Sequence, residues 1–93
     1  MKKIGVLGAS GTVGFLVCEL LQERYEIIGG CRRKNKKFET LKHFVWQEVD
    51  LYDEESLESF CQKCEVVVNC AGPAGSIKDR VALSAQKSGK PYI

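Results

Sequence analysis

Gly8, Gly11 and Gly14 stand three apart in the segment Gly8-Ala9-Ser10-Gly11-Thr12-Val13-Gly14. A short apolar run precedes the segment and a helical pattern follows it, the context in which such glycines carry chemistry. Gly8 permits a tight turn out of a strand. Gly11, having no Cβ, lets a pyrophosphate approach the main chain, and Gly14 lets a helix pack closely on the sheet. The free N–H groups of the first helical turn, around Thr12 and Val13, would then face the phosphates. The hydroxyls of Ser10 and Thr12 add donors. The spacing is G-x-x-G-x-x-G rather than G-x-G-x-x-G. The alternative is a glycine turn that binds nothing, but three glycines carry a conformational cost that mere turn residues need not.

The second chemical feature follows the next apolar run. A site for an unphosphorylated adenosine ribose carries an acid roughly 20 residues beyond the glycines. Ile27 to Phe38 holds no acid and instead has Arg32, Arg33, Lys34, Lys36 and Lys37. A guanidinium there can pair with a 2′-phosphate and stack on adenine. The expectation is therefore NADP in preference to NAD, with Arg32 as first partner of the phosphate and Arg33 as second. The bland alternative is a solvated basic loop.

Two further segments complete the candidate set. Asp50 could accept from an adenine amino group while the Leu51 N–H meets a ring nitrogen; equally, Asp50 could belong to the turn ahead of Asp53. Asn69-Cys70-Ala71-Gly72-Pro73 offers small residues, with Ala71, Gly72 and Pro73 able to let a ribose and nicotinamide lie against the backbone. A catalytic thiol at Cys70 would need a base, and His43 is the only histidine, so a small buried cysteine is the preferred reading.

These residues need elements to hold them. Lys3 to Leu7 reads as a buried strand, Thr12 to Glu23 as a helix with Val13, Leu16, Val17, Leu20 and Leu21 at helical spacing, and Glu26 to Cys31 as a second strand weakened by its glycines. A weak helix is expected over Lys36 to Lys42. Phe44 to Val49 is aromatic and β-branched, a third strand. Asp53 suits an N-cap, with Glu54 and Glu55 on the favourable end of a helix reaching about Lys63. Glu65 to Cys70 reads as a fourth strand, ended by Gly72-Pro73-Ala74-Gly75. Ile77, Val81 and Ala85 mark a helix stopped by Gly89, and Pro91-Tyr92-Ile93 opens a fifth strand. This alternation implies an α/β fold, a doubly wound parallel sheet of about five strands with helices on both faces, Rossmann-like in class. A last strand that has only begun suggests a piece of a longer protein.

Composition bounds the rest. The chain has 93 residues, 44% apolar and 28% charged, with a net charge of +2, enough for one core but not for a second domain. This mild balance gives no reason to expect nucleic acid. No run approaches the roughly 20 apolar residues of a membrane span, and the apolar run after Met1-Lys2-Lys3 is too short for a secretory signal. The expected location is the cytoplasm, with no membrane partner. Five cysteines include one C-x-x-C, Cys61 and Cys64. Without a second such pair no zinc site is expected. Leu57, Phe60, Cys61 and Cys64 instead fall on one apolar helix face.

The glycine turn, Gly30-Cys31-Arg32-Arg33, Asp50 and Val68-Asn69-Cys70-Ala71-Gly72-Pro73 together resemble the NADP-binding domain of the saccharopine dehydrogenase-like family. The segment Ala82 to Ile93 is similar to that family's approach to its fifth strand, and the resemblance spans nearly the whole chain. Ala74 stands where the family often has Phe or Tyr after Gly-Pro. The resemblance implies an NADP-dependent oxidoreductase working by hydride transfer, with its catalytic residues and small-molecule substrate domain beyond this chain, which alone would be inactive. The glycine turn is shared with extended short-chain dehydrogenases and semialdehyde dehydrogenases, and a short-chain dehydrogenase or NmrA-like protein is an alternative. Others are a non-catalytic NADPH-sensing module and a structural domain with an empty site. Self-association through an exposed sheet edge is a further expectation.

Overall fold

The computed structural model describes residues 2–71 and 75–93 in backbone and, outside 75–79, in side chains. Strands β1 (Lys3–Leu7), β2 (Glu26–Cys31), β3 (Phe44–Glu48) and β4 (Val66–Asn69) alternate with helices α1 (Thr12–Leu21), α2 (Glu54–Lys63) and α3 (Gly75–Lys87). A five-residue 3₁₀ turn, Lys36–Thr40, lies between β2 and β3. The strands form one sheet in the order β3-β2-β1-β4, with every pairing parallel. The chain therefore runs outward from β1 to β3, then crosses back to the far side of β1. Tyr92 bridges Val67 in parallel, so the expected fifth strand begins beside β4 as a single bridge. This is a Rossmann-like α/β fold.

Period-2 burial sends the sheet's side chains into two cores. On one face Ile4, Val6 and Ile27 pack with Cys18 of α1 and with Phe38 of the 3₁₀ turn. On the other, Leu7, Val49 and Val67 pack with Leu57, Phe60, Cys61 and Cys64 around α2, and with Val81 and Ala85 of α3. The apolar face expected for α2 is thus the buried one. The strand glycines are filled rather than empty. The Phe60 ring occupies the space beside Gly5 and Gly30, at 2.8 Å from where either would carry a Cβ, and Phe44 fills the space beside Gly29. β2 keeps its full register despite its glycines because aromatic rings pack into those positions.

Several boundaries and one helix face differ from expectation. α1 ends at Leu21 rather than Glu23, and the expected helix over Lys36 to Lys42 is the shorter 3₁₀ turn. Of the five apolar residues at helical spacing on α1, Val17 and Leu21 pack inward, whereas Val13, Leu16 and Leu20 are 65%, 52% and 68% exposed. The inward row is centred on Gly14 and Cys18, the small side chains that allow α1 closest to the sheet. The break expected at Gly72, Pro73 and Ala74 lies outside the described residues. α3 ends at Lys87, and Gly89 follows with φ +69, as expected of a helix-stopping glycine. Among the described residues no helix is long and apolar enough to cross a membrane.

Candidate functional site

The glycine turn leaves β1 at its carboxyl end, where doubly wound sheets place their ligands. Gly8 has φ +76, a conformation that other residues adopt with strain. A Cβ on it would lie 2.6 Å from the Ala71 Cα and 2.7 Å from the Cys70 carbonyl oxygen. The turn is thus pressed against the end of β4, at the point where the strand order reverses. On its other side the Gly8 N–H donates to the Gly30 carbonyl at 2.9 Å, tying it to the end of β2. Gly14 abuts the turn rather than the sheet alone: a Cβ there would overlap the Gly8 carbonyl and meet the Ala9 Cα at 3.1 Å.

Gly11 is different. Its φ of −74 and ψ of 166 are open to any residue, and an added Cβ would make only an ordinary 3.4 Å contact with the Gly8 oxygen. The residue is exposed. The fold needs glycine at 8 and 14 but has no use of its own for glycine at 11.

The two helix starts contrast in the same way. Asp53 caps α2, its carboxylate accepting from the Glu55 N–H at 3.0 Å, and Glu54 and Glu55 lie in the first turn. α1 has Gly11 as N-cap, no side-chain cap and no acid in its first turn. Its orphan N–H groups and the positive end of its dipole lack the compensation that α2 carries. Thr12 and Val13 are exposed there and Ser10 is half-buried.

Around this turn the structure distributes the remaining candidates. Arg32 and Arg33, just past β2, are exposed, and the Arg33 carbonyl accepts from the Cys31 thiol at 3.1 Å. Among the basic residues of this loop, Lys37 turns back. Its Nζ donates to the Ser10 carbonyl at 2.5 Å and lies 4.7 Å from the centroid of the Phe15 ring. The sequence reading did not single out this contact; its local signal is the buried Phe38 beside Lys37, which fixes the 3₁₀ turn.

Asp50 sits in the turn after β3. Its Oδ1 accepts from the Tyr52 N–H at 2.9 Å, and its own N–H donates to the Ser56 hydroxyl at 3.0 Å. This geometry matches the turn reading of Asp50. Leu51 packs against the α2-side core. Ala71 donates its N–H to Asn69 Oδ1 at 2.9 Å and so lies beside the turn, while Gly72 and Pro73 fall outside the described residues.

Four of the five thiols are poorly suited to nucleophilic chemistry. Burial pushes Cys18 up to about 12, with lesser contributions from Cys70 and Cys31. Cys64 is pushed up to about 11, again by burial first, and Cys61 and Cys70 are raised by the same cause. A thiol held protonated is a poor nucleophile. Cys64 Sγ donates instead to the Phe60 carbonyl at 3.3 Å. Among the described residues no group of three or more His, Cys, Asp or Glu is placed to hold a metal ion.

A parallel sheet with a reversal in strand order, and a glycine turn opening onto an uncapped helix at that reversal, define a dinucleotide-binding domain. The chain belongs to the NAD dependent epimerase/dehydratase family, whose model matches residues 4–86, and it is an NAD(P)-binding Rossmann domain of that family. No curated protein matches it by sequence. Among solved structures it is similar to a short-chain dehydrogenase/reductase from Veillonella parvula in complex with NADP, with TM-score 0.81 and 18% identity over 98% of this chain and 45% of that one. It is similar to uronate dehydrogenase from Agrobacterium tumefaciens, with TM-score 0.79 and 18% identity over 98% and 38% of the two chains. Saccharopine dehydrogenase (L-Glu forming) from Saccharomyces cerevisiae also matches, with TM-score 0.81 and 20% identity over 99% and 21%. At these identities the likeness establishes the fold. The saccharopine dehydrogenase match is no stronger than the short-chain dehydrogenase match, so the family shown is the broader one. The chain spans less than half the length of each of these structures.

Proposed function

We propose that this chain is the cofactor domain of an NADP-dependent oxidoreductase. The pyrophosphate lies on the Gly8–Gly14 turn, against the N–H groups of Thr12 and Val13 and the hydroxyls of Ser10 and Thr12. Arg32 and Arg33 face the adenosine 2′-phosphate. Asp50 and Leu51 border the adenine, and Ala71 borders the nicotinamide ribose. When bound, the nicotinamide supplies or accepts the hydride. The chain's own residues bind and orient it, while the substrate and the groups that move protons belong to a region outside this chain.

The observation that carries this reading is Gly11, a glycine whose backbone angles and surroundings do not require one. Space kept clear of a Cβ beside uncapped N–H groups fits a phosphate approaching the main chain. The hydride-transfer class is supported by the family and by the dehydrogenases among the similar structures. The short-chain dehydrogenase and saccharopine dehydrogenase readings both fit it.

The test is calorimetric titration of the 93-residue chain with NADPH and with NADH. Tighter binding of NADPH is expected, together with its loss in Gly11→Val and a larger loss for NADPH than for NADH in Arg32→Ala. Absence of binding to either cofactor, or full affinity in Gly11→Val, would overturn the proposal.

A further inference from the structure

Lys37 is separated from Ser10 by 27 residues, yet its Nζ lies on the Ser10 carbonyl. Its placement is built rather than incidental. Asn35 Oδ1 accepts from the Lys37 N–H at 3.0 Å, starting the 3₁₀ turn. The next residue, Phe38, is 4% exposed. Its ring stacks on Phe15 at 6.5 Å between centroids and packs on Phe44 at 4.7 Å. A wedge anchored in the core therefore holds the lysine stem, and the Phe15 face holds its charge.

The position is also specific. Gly8 and Ala9 both donate to the Gly30 carbonyl, so the glycine turn and the end of β2 are adjoining walls. Lys37 closes the third side from the 3₁₀ turn. Arg32, Arg33, Lys34 and Lys36 are exposed, while Lys37 is half-buried. The one ion pair among the described residues is Lys87 with Glu54, so no carboxylate among them pairs with Lys37. An ammonium has three protons. The Ser10 carbonyl takes one, leaving donors for an anion at the mouth of the turn.

We infer that Lys37 is a further determinant of preference for the phosphorylated dinucleotide, its ammonium holding the adenosine 2′-phosphate between Ser10 and the end of β2. This rests on the cofactor reading above and refines it. Arg32 and Arg33 reach the phosphate from the solvent side, whereas Lys37 is fixed in place before the ligand arrives, so little side-chain freedom is lost on binding.

The experiment compares adenosine 2′,5′-bisphosphate with ADP, and NADPH with NADH, on the 93-residue chain, Lys37→Met and Lys37→Arg. Methionine keeps an unbranched apolar stem on Phe15 and removes the charge. Thermal melts that match the parent establish that each variant is folded. Losing a charge-assisted hydrogen bond should weaken the 2′-phosphorylated ligands by about 10- to 100-fold. ADP and NADH should stay within about twofold, and Lys37→Arg should recover most of the loss. Equal weakening of all four ligands would make Lys37 a support of the turn only and overturn the inference, as would an unchanged preference in Lys37→Met. In both cases the parent chain still binds NADPH, so the cofactor reading survives. Absence of binding in the parent overturns both.

Discussion

Gly14, in the first turn of α1, lies against the carbonyl oxygen of Gly8 with no room for a β-carbon between them. The obstacle is backbone, which cannot rotate away as a side chain can. Gly14→Ala should therefore destabilise the chain by about 1–3 kcal/mol, the range for overpacking a closed site. Gly11→Ala should do the reverse. Its backbone angles suit alanine, so the gain from a stiffer unfolded chain is about 0.4–1 kcal/mol. Urea midpoints of the two variants check this. Destabilisation by Gly11→Ala as large as that of Gly14→Ala would show that Gly11 serves the fold.

The exposed row of α1 and the buried face of α2 separate in the same kind of measurement. Leu20 is 68% exposed and Leu57 of α2 is 1% exposed. Leu57→Ala should cost about 2–5 kcal/mol, through lost burial plus the cavity left behind. Leu20→Lys should stay within about 0.5 kcal/mol. A large loss in Leu20→Lys would mean that another surface covers this row, which self-association of the chain, read by sedimentation, would reveal.

Stability should fall in alkali. The Cys18 thiol is raised from 9.0 to about 12 in the fold, chiefly by burial, and Cys64 is raised from 9.0 to about 11. Above pH 9 the unfolded chain loses these protons while the folded chain keeps them, so proton release favours unfolding. Their contribution is fully present below about pH 9 and is lost as pH climbs through the folded values. Urea midpoints should drop between pH 8 and pH 10.5, and less steeply in Cys18→Ala. A parallel slope in that variant would show that other groups set the decline. At pH 8 an aromatic disulfide reagent should reach Cys18, Cys61 and Cys64 only after denaturation, since all three are buried.

The α2 cap gives a further check. Asp53→Ala leaves the Glu55 N–H without its acceptor and should cost about 1 kcal/mol. Asp53→Asn, which keeps an acceptor oxygen, should cost less. Equal losses would point to the carboxylate charge rather than the hydrogen bond.

Much of the fold was legible because it is written locally. The ranges Lys3–Leu7 and Glu26–Cys31 were read from short apolar runs bounded by glycine or charge, and the structure has strands of those limits. Asp53 announced a helix start by its type and its acidic followers. The Gly8–Gly14 turn announced itself because few other arrangements tolerate three glycines so placed. The α2 face of Leu57, Phe60, Cys61 and Cys64 was readable because charged residues fill its other sides.

Local patterning along the chain specifies the alternation of strands and helices, and with it a parallel sheet, since each strand must be reached by a crossover that returns the chain to the same end. The same patterning specifies a glycine turn at the start of a helix and a loop rich in positive charge. Which sides meet depends on long-range packing. α1 is apolar almost all round, so periodicity could not choose its inner face. Close approach chose the row of Gly14 and Cys18 and left Val13, Leu16 and Leu20 outside. The basic loop offered five similar cations, and propensity could not rank them. Phe38, drawn into the core between Phe15 and Phe44, carried its neighbour Lys37 to the Ser10 carbonyl. Contacts between residues far apart in the chain depend on how packed surfaces fit, and that fit exists only once the sheet and its two helical layers have closed on each other.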